Sequence, residues 1–254
     1  MPVVRLAVII PAKDEEERID ATVRAALEIE GVDVVVVVDD GSSDRTAVTA
    51  RAAGARVVRH HRNLGKAAAL ESGAALVRDL EQPPPGVVHD TAGRALATDE
   101  PRALLLVDAD LGATARETAA LAGPVLAGEA DATIAVLPPQ SAPGGGRGLV
   151  VGLARRGIVA ATGWTPTQPL SGMRCLTRDA FESARPLAPG WGVETAMTID
   201  LLRAGQRVLE VPCALQHRVS GKGWRAQLHR AAQYRDVARA LAARGRLDAL
   251  VPPR

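Results

Sequence analysis

The chain has 254 residues, 47% of them hydrophobic and 24% charged, which is enough for one large domain with a substantial apolar core. A formal net charge of +2 leaves no global basic field and argues against nucleic acid as a partner. No apolar run approaches the roughly 20 residues of a membrane span, the N-terminus has no signal-peptide pattern, and Cys175 and Cys213 lack metal-ligand spacing, so a cytoplasmic protein is expected.

Residues 4–11 read as a first strand closed by Pro11, and residues 15–27 as a helix with Ile19, Val23 and Leu27 at helical spacing. Five valines at 34–38 are too apolar for anything but a central strand buried on both faces. That strand stops at Asp39-Asp40-Gly41-Ser42-Ser43-Asp44, a turn rich in capping residues, and a helix through Val48 and Ala52 follows. Residues 56–59 form a third short strand and 66–80 a third helix, and this alternation predicts a parallel sheet with right-handed crossovers. The rhythm breaks at Glu81-Gln82-Pro83-Pro84-Pro85-Gly86, and resumes at Leu104-Leu105-Leu106-Val107, a buried strand that runs into Asp108-Ala109-Asp110. Residues 132–136 read as a strand and 149–160 as a helix, separated by a glycine-rich segment at 138–148 that suits a ligand-ordered loop. Glu194 opens a helix to about Leu202, and residues 224–241 form a basic amphipathic helix. All five aromatic residues lie beyond position 160, so the core of the N-terminal half must be aliphatic.

Four short motifs follow successive strands: Pro11-Ala12-Lys13-Asp14-Glu15, Asp39-Asp40-Gly41-Ser42, Arg62-Asn63-Leu64-Gly65-Lys66 and Asp108-Ala109-Asp110. All are expected along one edge of the sheet, where open α/β sheets bind ligands. Two carboxylates facing one space need a cation or a set of donors between them. In this order and spacing the motifs resemble the nucleotide-sugar half of GT-A fold glycosyltransferases, particularly family two and the related glucosyl-3-phosphoglycerate synthases. Gly190-Trp191-Gly192-Val193-Glu194 and His217-Arg218 extend the resemblance to nearly the whole chain. It implies a single GT-A, Rossmann-like domain with a mostly parallel central sheet flanked by helices. Within it, about 1–112 would bind the nucleotide sugar, about 113–223 would face the acceptor, and about 224–246 would be the C-terminal helix.

The resemblance implies a metal-dependent transferase acting on a nucleoside-diphosphate sugar. Negative charge grows on the leaving diphosphate, and Mn2+ or Mg2+ held by Asp110 and His217 would offset it. Asp108 would sit nearer the ribose or bind the metal through water, and Pro11, Ala12 and Glu15 would cradle the base. Asp39 or Asp40 would accept from its imide, which suits uracil or guanine better than cytosine; a UDP-sugar is favoured over a GDP-sugar as donor. Gly65 allows close backbone approach, and Lys66 would meet the diphosphate or the ribose as a point charge. Asp14 stands where family two usually has asparagine. On the acceptor side, Gly146 and Arg147 resemble a phosphate-holding loop, with Arg174, Trp191 and Gly192 lining the same space. Glu194, together with Asp110, is assigned to the catalytic centre; in the first turn of a helix it suits a partner for hydroxyls better than a general base.

For the acceptor, a polyprenyl phosphate is favoured here, with peripheral attachment of the 224–241 helix to the inner face of an anionic membrane. The alternative is a soluble enzyme like the glucosyl-3-phosphoglycerate synthases, with that helix packed on its own domain. A homodimer is also entertained. A sugar-nucleotide pyrophosphorylase should carry a glycine-rich loop with arginine and lysine after the first strand, where this chain has Pro11-Ala12-Lys13-Asp14-Glu15. A non-catalytic relative should lack the paired carboxylates.

Overall fold

The computed structural model describes residues 5–81, 101–138, 148–215 and 224–245. Its centre is a seven-stranded sheet built from β1 (Leu6–Ala12), β2 (Val32–Asp39), β3 (Arg56–Arg59), β4 (Ala103–Leu106), β5 (Ala132–Val136), β6 (Arg174–Leu176) and β7 (Val208–Pro212), in the order β3-β2-β1-β4-β6-β5-β7. Only β6 runs against its neighbours; β1, β2, β3 and β4 are parallel, as are β5 and β7. The chain winds outward from β1 through β2 and β3, then returns to the other side of β1 as β4. The crevice between the ends of β1 and β4 is therefore a topological switch point.

Period-two alternation divides β1 between the two faces of the sheet. Leu6, Val8 and Ile10 pack with α1 (Ile19–Leu27) and α4 (Ala119–Leu126), while Ala7 and Ile9 pack with α3 (Lys66–Glu81), α6 (Arg178–Ser183) and α7 (Val193–Arg203). The valines of β2 split the same way, Val35 and Val37 against Val36 and Val38. Small residues set how closely α3 lies on the sheet, since a Cβ on Gly73 would fall 2.5 Å from Ile9 Cγ2. α2 (Thr46–Ala52) covers the β2–β3 crossover. A further apolar layer joins α5 (Leu149–Thr162), α7 and α8 (Trp224–Ala242) through Leu153, Ile158, Ile199, Val237 and Leu241.

Several expectations are corrected. β1 does not stop at Pro11 but pairs with β2 through Ala12. The Ile9 carbonyl accepts from Val107 on the β4 side, and Pro11 faces that side beyond the end of β4, where no N–H is needed. α1 starts at Ile19 rather than residue 15, because 15–18 form a turn in which Arg18 and Ile19 N–H both donate to the Glu15 carbonyl. β4 ends at Leu106, so Asp108 and Asp110 lie in a turn, and strand alternation does not aim them together. At the opposite edge of the sheet, Arg102 pairs with Asp33 (2.7 and 2.8 Å) and Glu81, while Arg5 reaches Asp33 and Arg178 reaches Glu81. This network ties the starts of β1, β2 and β4 to α3 and α6.

Candidate active site

The loop after β1 is stitched to the loop after β2. Asp14 adopts φ 54°, a left-handed conformation that Asp and Asn tolerate better than most residues. Its N–H donates to Ser42 Oγ (2.9 Å), and its Oδ1 accepts from the Ser43 N–H (2.8 Å). Lys13 Nζ at 2.6 Å and the Ser43 donors hold its carboxyl down to about 2. Glu15 N–H donates to Thr46 Oγ1 (2.8 Å).

Asp39 and Asp40, both expected near the base, have different tasks. Asp39 is fully buried: Oδ1 accepts from the Ser42 N–H (2.9 Å), and Oδ2 lies 3.1 Å from Arg59 Nε without hydrogen-bond alignment. It does not reach the cavity. Asp40 does, but its carboxylate is already engaged by the Leu64 N–H (2.7 Å), the Gly65 N–H (2.8 Å) and His60 Nδ1 (2.7 Å). Its main work is to shape the turn that delivers Gly65 and Lys66. Gly41 is required there: its φ is +73°, and a Cβ would fall 2.5 Å from the Arg62 carbonyl carbon. Buried His60, which also bonds Ser72 Oγ (3.0 Å), carried no sequence signal.

Lys66 begins α3, where an ammonium is unfavourable unless anions stand close. Two do: Asp108 Oδ1 at 2.8 Å and Glu194 Oε1 at 3.0 Å. Burial works against the charged lysine, but these two carboxylates more than offset it and raise the Lys66 pKa. Gly172 makes the room, since a Cβ there would strike the ammonium and sit 3.2 Å from both Asp108 carboxylate oxygens.

These groups line a cavity of about 360 Å3 at the switch point. Pro11, Ala12 and Lys13 contribute from the β1 loop, Asp40 from the β2 loop, Gly65 and Lys66 from α3, and Asp108 from the β4 turn. Gly190, Trp191 and Glu194 close it from the start of α7. Of the residues predicted from sequence, Glu15, Asp39, Asp110, Arg174 and Gly192 do not line this cavity. Asp110 lies on the same edge, in a turn fixed by Thr22, whose hydroxyl donates to the Ala109 carbonyl (2.8 Å) and accepts from the Gly112 N–H (2.9 Å). Gly146, Arg147 and His217 lie outside the described residues, and among the described residues no group of three His, Cys, Asp or Glu could hold a metal.

Arg174 stands apart from the cavity lining. Expected to bind an acceptor, it is 1% exposed, and its guanidinium donates to the carbonyls of Ser171 (3.1 Å) and Glu194 (2.9 Å). Burial lowers its pKa to about 10, partly countered by Glu194. It is a fastener between the Ser171-Gly172 turn and the first turn of α7.

The family model for glycosyl transferase family 2 matches residues 7–79, the segment carrying the loops after β1, β2 and β3. The glucosyl-3-phosphoglycerate synthase of Mycolicibacterium smegmatis is 32% identical over 211 residues, covering 77% of this chain and 63% of the relative. That of Mycobacterium tuberculosis is 31% identical over 212 residues. The chain is a GT-A fold homologue of these synthases. It spans about 60% of the length of the curated relatives it matches. The crystal structure of the M. tuberculosis synthase with phosphoglyceric acid superposes with a TM-score of 0.67 at 28% identity, covering 98% of this chain and 81% of the other. The same enzyme with Mn2+, UDP and phosphoglyceric acid gives 0.68 at 27% identity, covering 98% and 80%.

Proposed function

We propose that this protein is a metal-dependent glycosyltransferase that moves a sugar from a UDP-sugar to a small phosphorylated acceptor of the phosphoglycerate class. The observation that carries the reading is the switch-point cavity, in which Lys66 stands between Asp108 and Glu194, in a chain whose whole described fold matches a synthase solved with Mn2+, UDP and phosphoglyceric acid. The polyprenyl phosphate expected from sequence finds no support in the comparisons, which favour the soluble-acceptor alternative. The packing of the C-terminal half of α8 argues the same way, because Val237, Ala240 and Leu241 are buried inside the domain. No helix among the described residues is long and apolar enough to cross a membrane.

In the reaction a hydroxyl oxygen of the acceptor bonds to the anomeric carbon, the bond to the diphosphate breaks with its electron pair leaving on UDP, and the hydroxyl proton passes to a departing phosphate oxygen or to water. Lys66 is a permanent cation facing that charge. Glu194, anchored through its own carbonyl by Arg174, is placed to hold a sugar or acceptor hydroxyl. An open edge with few carboxylates fits a hard cation that takes its remaining ligands from phosphate and water. Asp110 would hold that cation, with His217 from outside the described residues, and bound metal would neutralise the departing diphosphate.

The test incubates the protein with UDP-glucose, phosphoglyceric acid and MnCl2 and follows UDP release and the glycosylated product by mass spectrometry, beside an arm with polyprenyl phosphate. Product from phosphoglyceric acid is expected. Product from the lipid alone would overturn the acceptor, and absence of Mn2+-dependent UDP binding by calorimetry would overturn the whole reading.

A further inference from the structure

Gly190 lines two cavities: the candidate active site and a larger one of about 890 Å3 between the 185–190 loop, α7 and α8. The wall between them is the Gly190–Gly192 turn, which carries Trp191, 44% exposed, and leads into Glu194. α8 grips this turn from the side away from the chemistry. Asp236 Oδ2 accepts a hydrogen bond from the Trp191 N–H (3.3 Å). Gly190 has φ +68°, and any Cβ there would land on the Asp236 carboxylate. At Gly192 a Cβ would fall 2.7 Å from both the Asp236 carbonyl oxygen and Ala240 Cβ. The helix making these contacts is itself fixed: Val237 and Leu241 are fully buried against α5 and α7, and Leu241 packs onto the bare backbone of Gly157.

We propose that Asp236 is a positioning residue, which acts from α8 to set Trp191 at the lip of the cavity and to fix the entry of the helix that presents Glu194. The proposal rests on the reading of that cavity as the transfer site. Two of its three contacts need a bare glycine backbone and the third needs an acceptor at Asp236, so the turn and α8 fit only as a pair. The UDP side of the cavity, built from the loops after β1 and β2 and the start of α3, makes no use of Asp236.

The test uses the full chain with Trp164→Phe and Trp224→Phe, leaving Trp191 as the single tryptophan. Asp236→Ala should shift Trp191 emission to the red and increase its quenching by acrylamide, and Asp236→Asn, which keeps the acceptor oxygen, should restore both. Gly190→Ala should reproduce the alanine phenotype, and combining it with Asp236→Ala should add little further change, as coupled sites do. In turnover, Asp236→Ala should raise the KM for phosphoglyceric acid about tenfold and leave Mn2+-dependent UDP affinity within twofold. If Asp236→Ala fails to fold, Asp236→Asn and Gly190→Ala carry the comparison. Unchanged emission and quenching in Asp236→Ala, or an asparagine variant as impaired as the alanine one, would overturn the proposal. Loss of turnover in the parent protein with every acceptor would instead overturn the transfer reading, and the fluorescence result would still stand.

Discussion

Replacing Lys66 by methionine removes the ammonium between Asp108 and Glu194 while keeping most of the side-chain volume. Both carboxylates have an oxygen within 3.0 Å of its ammonium, so those oxygens lie no more than about 6 Å apart, and at an effective dielectric of about 20 two such charges repel by roughly 3 kcal/mol. For a domain of this size that corresponds to a Tm lower by roughly 5–10 °C. The loss should be partly recovered in 1 M salt, where screening acts over about 3 Å. The lysine pKa is raised in the folded protein, so its stabilisation is complete below the ordinary value of 10.5 and declines only as pH rises above it toward the folded value. The difference in Tm between the two proteins should therefore be flat from pH 6 to 9. Loss of the proposed contact to the diphosphate should weaken UDP binding by about 10–100-fold, measured by calorimetry. Mn2+ alone should raise the Tm of the variant more than that of the parent, because it finds two carboxylates without their cation. A Tm within 1 °C of the parent together with unchanged UDP affinity would refute the assignment of Lys66.

Asp110→Ala should lower Mn2+-dependent UDP binding at least about tenfold with little change in Tm, by calorimetry and thermal unfolding. Arg102→Ala, at the opposite edge, leaves Asp33 and Glu81 without their shared cation and should cost about 2–4 kcal/mol while UDP affinity stays constant. The Asp33 pKa is lowered in the folded protein, so that deficit should be full near neutral pH and shrink as pH falls below the ordinary 3.8 and through the folded value. Arg239→Glu on the exposed side of α8 should change stability by less than about 0.5 kcal/mol, and the parent should not sediment with anionic liposomes; salt-sensitive sedimentation would restore the membrane reading.

Most of the sheet was legible because its strands carry strong local patterns. The valine run of β2 and the leucines of β4 admit few alternatives, and β3 and β5 appear over the residues expected for them. β6 was not legible: it has three residues and begins with an arginine, a residue rarely found fully buried. The sequence offers Arg174 as an acceptor contact, although in the structure Arg174 serves the backbone of Glu194 and the neighbouring Gly172 makes room for Lys66. α4 went unrecognised because Pro124 lies inside it. The candidate site was legible wherever a motif sits at a strand end, because the sheet brings those ends together whatever the loops do. It was not legible where a carboxylate could turn inward, as Asp39 does, since the sequence is the same for a cap and for a ligand contact.

The balance of charge in the cavity favours a cation in the proposed transfer. Among its lining residues, Asp40, Asp108 and Glu194 carry three negative charges against the two positive charges of Lys13 and Lys66, and Lys13 is already paired with Asp14. A diphosphate entering that space without a counter-ion would meet net repulsion in a partly desolvated site. A divalent ion at the edge marked by Asp110 reverses the sign, so the donor and the metal should bind as one unit. The proposed phosphorylated acceptor would bring a second anion against the same wall, where the described lining holds no arginine. On the proposed function, a cation for the acceptor would come from another segment. Arg147, in the glycine-rich stretch outside the described residues, is the sequence's candidate for that role, and its contribution should appear in the acceptor KM while Asp110 and Lys66 govern the donor.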